Sequence, residues 1–586
     1  LNTKNTSSIH LQAATVLNID VKWLHKFAYV LFVFILLVPG ISIKSASGKV
    51  RTAITDSNSA KEKPAMATGA HVYYVGTSGN DSNEGTSAST AWRTIKKVNA
   101  HLFEAGDQVL FEGGEKFKGM LYIRRSGSSG NPIRFASYGT GKAIVNGGNS
   151  TGIYVHNCSF ITIDSLVVSG GWNPSQQKGN TGYGILFYND LPNAEKLGEV
   201  AVSNCEVTGF KKSGIAFMAY PADKSQGGYS KITATGNRVY GNGASGISSL
   251  GPAAMAGSND YAFDQVYMAH NLVYDNLGIK SNTTSHSGNG IIIGDAGGGM
   301  VEHNTAYNNG WYNAAAKGGP AAIWCYDSKN IIFQYNEAHH NGTGAGTPDG
   351  DGFDLDGGAV NCIMQYNYSH DNYGAGFLVW EYGNSRTSNA NNIIRYNISQ
   401  NDNTNNNNTV YGGICIGPQC DNNLIYNNTI WSKKGSCIFI TGGNNNQFYN
   451  NIFVNQSRAP VISSNRSKCL FVNNIYYNPK GVLINFNGKR HSSLSSFRKT
   501  GNEKLNGKNH GYVVNPRLQN PGVAGSINAA NPVVLTNYLP RPGSPAINKA
   551  IDLTTLGYAM AATDFNKMPL PVGDGYDIGA CEHDER

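Results

Sequence analysis

The residues best equipped for chemistry sit in one acidic, glycine-rich run: Asp349-Gly350-Asp351-Gly352-Phe353-Asp354-Leu355-Asp356-Gly357-Gly358. If the run is a strand, Asp354 and Asp356 share one face while Phe353 and Leu355 point the other way. Two carboxylates side by side on a strand are unfavourable unless a proton, a cation or a substrate relieves them. The glycines leave room for a ligand to approach the backbone. Three uses fit: an exposed acidic turn, a calcium site built from Asp349, Asp351 and Asp354, or a catalytic carboxyl pair.

A second candidate segment is Gly374-Ala375-Gly376-Phe377-Leu378-Val379-Trp380-Glu381-Tyr382. Aligning Phe353 with Phe377 stacks Trp380 over Asp356 and offsets Glu381 by one residue. Strict alternation turns Glu381 away from the aspartates, so a catalytic role for it needs a bend or bulge there. Trp380 and Tyr382 flank it with rings that can stack on sugar faces. Carboxyls drawn from Asp354, Asp356 and Glu381 suit acid–base or nucleophilic work at a glycosidic bond, and their separation decides retention or inversion. Asp295, Asp327, Lys317 and His370 are further substrate-binding candidates, His370 being also a candidate turn cap beside Asn372. No HExxH, GxSxG or phosphate-binding glycine loop is present.

What positions these residues is a repeat. Short apolar segments end in asparagine at positions 204, 237, 271, 304, 336, 367, 397, 428, 451 and 474. The separations run 33, 34, 33, 32, 31, 30, 31, 23 and 23. This is a solenoid period. Each unit holds several strand-length runs and no long helical run, which disfavours helical repeats. The leucine spacing of leucine-rich repeats is missing, and propeller blades need a longer unit. The expected fold is all-β, a single-stranded right-handed parallel β-helix in which each residue lies about 4.8 Å from its counterpart one coil below. The asparagines are scaffold residues at bends, expected in the left-handed conformation. The coil is expected over about residues 108 to 500, with Ala530 to Glu582 closing its last turn. Near the start, Trp92 to His101 reads as a helix, with Ile95, Val98 and Leu102 at helical spacing.

Composition agrees. With 71 glycines in 586 residues and only 14% charged residues, the chain is no coiled coil, and 40% hydrophobic residues argue against global disorder. The net charge of +8 leans toward an anionic partner, but no dense Lys/Arg tract or zinc-finger spacing points to nucleic acid. Lys22, His25 and Lys26 precede an apolar run, Phe27 to Val38, followed by Pro39-Gly40 and the small residues Ser45-Ala46-Ser47. This is the pattern of a secretory signal. Residues 1–47 are therefore expected to be a signal and leader, 48–69 a linker, and 70–582 the β-helix. The mature chain is expected to be secreted, periplasmic or surface-held, with no stable membrane span, and to act as a monomer on a polysaccharide or oligosaccharide. Nine scattered cysteines form no disulfide framework, although Cys415 and Cys420 are close enough to pair.

Further segments carry a resemblance. His71-Val72-Tyr73-Tyr74-Val75, Gly79-Asn80-Asp81, Trp92-Arg93-Thr94-Ile95 and Gly106-Asp107-Gln108-Val109-Leu110-Phe111 look like the opening of secreted right-handed parallel β-helix proteins of the pectate-lyase-like superfamily. Ser129-Gly130-Asn131-Pro132-Ile133 and the closing Gly543-Ser544-Pro545-Ala546 and Asp577-Ile578-Gly579-Ala580 fit as well. The resemblance spans about residues 71 to 582. It implies a carbohydrate-active protein and leaves hydrolases, lyases, epimerases and binding proteins open. A glycoside hydrolase using Asp354, Asp356 and Glu381 needs no cofactor. A lyase, as the resemblance implies it, needs calcium and a Lys or Arg base. Asp351 to Asp354 resembles the calcium-binding segments of some pectate lyases. No lysine occupies the register one coil on, so the base would be Lys317 or Arg386 from a loop. A non-catalytic carbohydrate-binding β-helix is the remaining alternative. The hydrolase is the preferred reading.

Overall fold

Every third short strand of the chain returns to the same sheet. In the computed structural model, which describes residues 69–252, 260–405, 411–523, 525–527 and 535–583, three long parallel sheets of 15, 14 and 14 strands run side by side. We call them sheets I, II and III. One coil shows the plan: Ile331–Gln334 in sheet I, Glu337–His339 in sheet II and Asp351–Leu355 in sheet III. The next coil repeats it with Ile363–Gln365, Tyr368–His370 and Phe377–Val379. The result is the expected all-β parallel solenoid. The expected leader and linker, up to residue 68, lie outside the described residues.

The core follows from alternation. Phe353 pairs with Phe377 and Leu355 with Val379, and all four are fully buried. The two phenyl rings stack with centroids 5.1 Å apart and planes 9° apart. Each such side chain contributes about 1.5–3 kcal/mol of burial.

The asparagine column is a continuous buried ladder. Asn336 Oδ1 accepts from the backbone N–H and the Nδ2 of Asn304 (3.0 and 2.9 Å), while Asn336 Nδ2 donates to Val301 O and Asn367 Oδ1 (2.8 and 3.0 Å). The same pattern links Asn237 to Asn474 and ends on Glu503, whose Oε1 accepts from Asn474 Nδ2 and the Tyr476 hydroxyl. A carboxylate suits the end of the ladder because it only accepts. Two expectations change. Asn204 lies outside the ladder, one residue out of register, and Cys205 takes its place by donating its N–H to Asn237 Oδ1. The left-handed residue is the one before the ladder asparagine: His303, Tyr335, Tyr366 and Tyr396 have φ of 50–57°. The asparagine must turn its amide inward to stack, so the chain reverses one residue earlier. Two further ladders escaped the sequence reading. One runs Asn242-Asn276-Asn309-Asn341-Asn372 to Asp402. The other joins Asn392, Asn423 and Asn446.

The coil is longer than expected at both ends. Val72–Val75 already pairs with Gln108–Glu112, and Tyr512–Val513 is the last strand of sheet II. The helix near the start spans Ile95–Ala100 and buries Ile95 and Val98, but Leu102 is 52% exposed. Phe497, on the short helix Leu494–Arg498, packs on Phe471 and Phe486 at the final turn. The tail expected to close the coil instead lies along its flank: Asn427 Nδ2 donates to Asp577 O, and the hydroxyls of Tyr366 and Tyr426 donate to Thr563 O and Ala559 O. Among the described residues no helix is long and apolar enough to cross a membrane.

Candidate active site

Sheet III carries the acidic run. Its outward column in successive coils reads Ile292, Trp324, Asp354, Leu378 and Cys415. Asp356 lies just past its strand and donates its N–H to Cys325 O, while Trp380 N–H donates to Leu355 O. Trp380 therefore sits beside Asp356 one coil on, as the alignment of Phe353 with Phe377 implies. Loops entering and leaving the sheet wall a groove of about 760 Å³. Asp354 and Asp356 form part of its lining, with Trp324, Tyr326 and His286 toward earlier coils and Leu378, Trp380 and Tyr411 toward later ones. Asp349, Lys317, Tyr382 and Glu381 also border it.

The two aspartates differ from ordinary carboxylates. Asp354 is 7% exposed, and its Oδ1 has no hydrogen-bond partner. Burial, then the neighbouring charges of Asp356, Asp351 and Asp349, hold its pKa well above the usual carboxylate range. Asp356 is pushed up from 3.8 to about 8, chiefly by burial, against a hydrogen bond from the backbone of Gly357. Both shifts favour the protonated form, and the two carboxyls titrate as a pair.

Glu381 behaves otherwise. A bend after Val379 brings it to the groove edge, but all its acceptor capacity is used. Oε1 accepts from Gly383 N–H and Ser385 Oγ, both at 2.7 Å, and Oε2 from the N–H groups of Gly358 and Asn389 at 3.2 and 3.1 Å. These hydrogen bonds tie the 381–389 loop to the turn after Asp356. Asp354 and Asp356 thus share raised pKa values on the groove, and Glu381 is hydrogen-bonded into the wall beside them.

The other sequence candidates divide. Lys317 is exposed on the rim, and Tyr382, 45% exposed, presents its ring from the loop. Asp295 and Asp327 do not line the groove. Both are left-handed turn residues and buried. The Arg386 guanidinium pairs with Asp295, its backbone N–H donates to Asp327 Oδ1 at 2.5 Å, and the guanidinium lies 4.1 Å from the Tyr261 ring centroid. This clamp anchors the same loop and holds Asp295 and Asp327 outside the groove lining. It also removes Arg386 as a base, its side chain being fully buried. Asp295 is pushed up to about 7 by burial, even with the guanidinium opposing. His370 belongs to sheet II. There its Nε2 faces Glu337 Oε1 at 3.1 Å and its Nδ1 faces Asp371 Oδ2 at 3.0 Å, so it touches no groove residue named above.

The calcium set also dissolves. Asp349 Oδ1 accepts from the Tyr411 hydroxyl (2.8 Å) and Oδ2 from Gly319 N–H (2.5 Å). Asp351 is fully buried, with Oδ1 bonded to Ala375 N–H. Together with Asp354 they do not converge. Among the described residues the group whose donor atoms all lie within 4.8 Å of one another, as a metal requires, is Glu337, His339 and His370. The Cys415–Cys420 pairing fails too, since Cys415 faces the groove while Cys420 points inward, donating weakly to Val379 O.

Several groove residues were missed. Trp324 follows from the repeat once the coil before Asp354 is registered. His286 and Tyr411 come from loops of irregular length and leave no periodic signal. Asn289 fixes two of these side chains: its Nδ2 bonds His286 Nδ1 at 3.0 Å and its Oδ1 accepts from Trp324 Nε1 at 3.1 Å. Burial lowers the His286 pKa, leaving a neutral ring beside the aspartates. The +8 net charge does not extend into the groove, where Lys317 is the one lysine or arginine on the lining among the described residues.

Comparison with known proteins bears out the resemblance at the level of fold. A family model described as "Right handed beta helix region" matches residues 223–397, which include the acidic run. The chain is a right-handed parallel β-helix. A lacto-N-biosidase of Bifidobacterium longum subsp. longum is 25% identical over 477 residues, covering 66% of this chain. The chain spans only 29% of that relative's length. Among solved structures, the GH136 lacto-N-biosidase from Eubacterium ramulus is 19% identical over 68% of each chain, with a TM-score of 0.49. A pectate lyase, Pel9A, is 13% identical over 89% of this chain and 98% of its own, with a TM-score of 0.42.

Proposed function

We propose that the chain is a secreted glycoside hydrolase acting on a neutral oligosaccharide or polysaccharide, with Asp354 and Asp356 as its acid and base or nucleophile. The observation that carries the reading is the Asp354 carboxyl: buried on the groove floor, its pKa raised by burial and by the charge of Asp356, with an oxygen left unpartnered. The carboxyl that keeps its proton donates it to a leaving glycosidic oxygen, while the other, in the fraction of molecules that has released its proton, attacks the sugar or activates water. Apolar surface on both sides, from Ile292 and Trp324 to Leu378 and Phe439, offers faces for sugar rings. The lacto-N-biosidase likeness supports a hydrolase of this fold. Elimination from a uronate needs a base and a neutralising cation, and the groove offers Lys317 on its rim amid four carboxyl groups. A purely binding groove leaves the raised carboxyl pair without a use.

The test is a product assay on purified protein. A panel of neutral and uronic-acid glycans, including lacto-N-biose-containing oligosaccharides, is incubated with and without EDTA. Reducing ends without the ultraviolet absorbance of an unsaturated uronate are expected. Absorbance abolished by EDTA overturns the hydrolase in favour of a metal-dependent lyase, and binding without products favours the binding protein.

A further inference from the structure

We propose that Glu337, His339 and His370 form a binding site for a borderline divalent cation of the zinc type, on sheet II and separate from the groove. Glu337 and His339 are two residues apart on one strand and so share a face. His339 pairs with His370 in the next coil, and their rings stack at 4.8 Å with planes 12° apart. The solenoid thereby brings donors from two coils together. Glu337 Oε1 and His370 Nε2 are 3.1 Å apart, close to the edge of about 3.3 Å of a tetrahedron with zinc–ligand bonds of 2.0–2.1 Å.

The surroundings aim these donors. Asp371 Oδ2 engages His370 Nδ1 at 3.0 Å, which leaves Nε2 for the cluster. The Ser526 hydroxyl donates to Glu337 Oε2 at 2.6 Å, which leaves Oε1. Carboxylate–imidazole pairs of this kind orient metal ligands. Glu337 and His370 are 1% and 5% exposed, whereas His339 is half-buried and gives an ion a way in. Two imidazoles and one carboxylate suit zinc and its neighbours. Calcium prefers six to eight oxygens. A cation there would brace two coils and, through Ser526, the segment 525–527 that lies over them.

The full chain, stripped with EDTA and gel-filtered, is titrated calorimetrically with zinc chloride and separately with calcium chloride. One zinc per chain with Kd below about 10 µM is expected, along with a raised unfolding midpoint and no effect of calcium. Cobalt(II) in its place should show the visible absorption of a four-coordinate nitrogen–oxygen site. His339→Ala, at a half-buried position, should weaken zinc at least about tenfold and abolish the rise of the unfolding midpoint with zinc. Zinc binding weaker than about 100 µM, or equal binding by His339→Ala, overturns the site and leaves an ion-paired cluster. None of these readouts depends on the groove, so they stand or fall apart from the hydrolase reading.

Discussion

Replacing Asp356 by asparagine should make the protein more stable and inactive. In the folded chain Asp356 titrates at about 8, against 3.8 when free. A carboxyl whose pKa is raised on folding contributes stability that is fully present below the free value and is lost as pH rises toward the folded value. At pH 7 the folded chain holds a proton that the unfolded chain has released. The interval from 3.8 to 7 is about 3 pH units, worth about 4 kcal/mol at 1.36 kcal/mol per unit. Asparagine keeps the shape and needs no proton. Allowing for solvent reaching this half-buried side chain, Asp356→Asn should gain about 2–4 kcal/mol at pH 7. The assay is urea unfolding followed by circular dichroism at pH 7 and pH 4, paired with the product assay. The gain should shrink at pH 4, where the folded chain is protonated and the unfolded chain, close to its free value of 3.8, holds a large share of its proton too. Unchanged or reduced stability at pH 7, or an equal gain at both pH values, refutes the reasoning. Full activity in the stabilised variant refutes the catalytic assignment separately.

Three other outcomes are expected. Glu381→Gln should raise KM and lower kcat/KM about tenfold to a hundredfold by loosening the 381–389 loop, with the pH profile unmoved. Loss of the basic limb would mean that Glu381 is itself the acid. Asn336→Ala should destabilise the coil by about 3–5 kcal/mol, because it orphans the buried Asn304 N–H and removes three more hydrogen bonds. Denaturant titration reads this, and a change under about 1 kcal/mol would mean that the ladder is dispensable. Gly357→Ala should raise KM more than it lowers kcat, since the added Cβ would lie 2.4 Å from Tyr382 Cε1 and push the ring aside. An unchanged KM removes Tyr382 from sugar binding.

The solenoid was legible because a parallel coil must set each residue over its counterpart, and that geometry writes a period into the chain. Asn336, Asn367 and Asn397 are spaced as they are because each must meet the next. Alternation around Phe353-Asp354-Leu355-Asp356 likewise told which side chains fill the core and which face the groove. Where the period is broken by loops, the reading lost its hold. Asp295 and Asp327 look like free acids until Arg386, 91 and 59 residues away, closes over them. Glu381 looks like a free acid until four donors from its own loop and the turn after Asp356 converge on it. His370 seemed a turn residue near the site until the sheets placed it on another face, against Glu337, 33 residues earlier. The sequence by itself determined the coil, its core and the pairing of Asp354 with Asp356, because strand periodicity is local and repeats. The tertiary structure alone decided which carboxyls have raised pKa values and which are tied down. Burial, charge and hydrogen-bond donors come from segments whose meeting no spacing records.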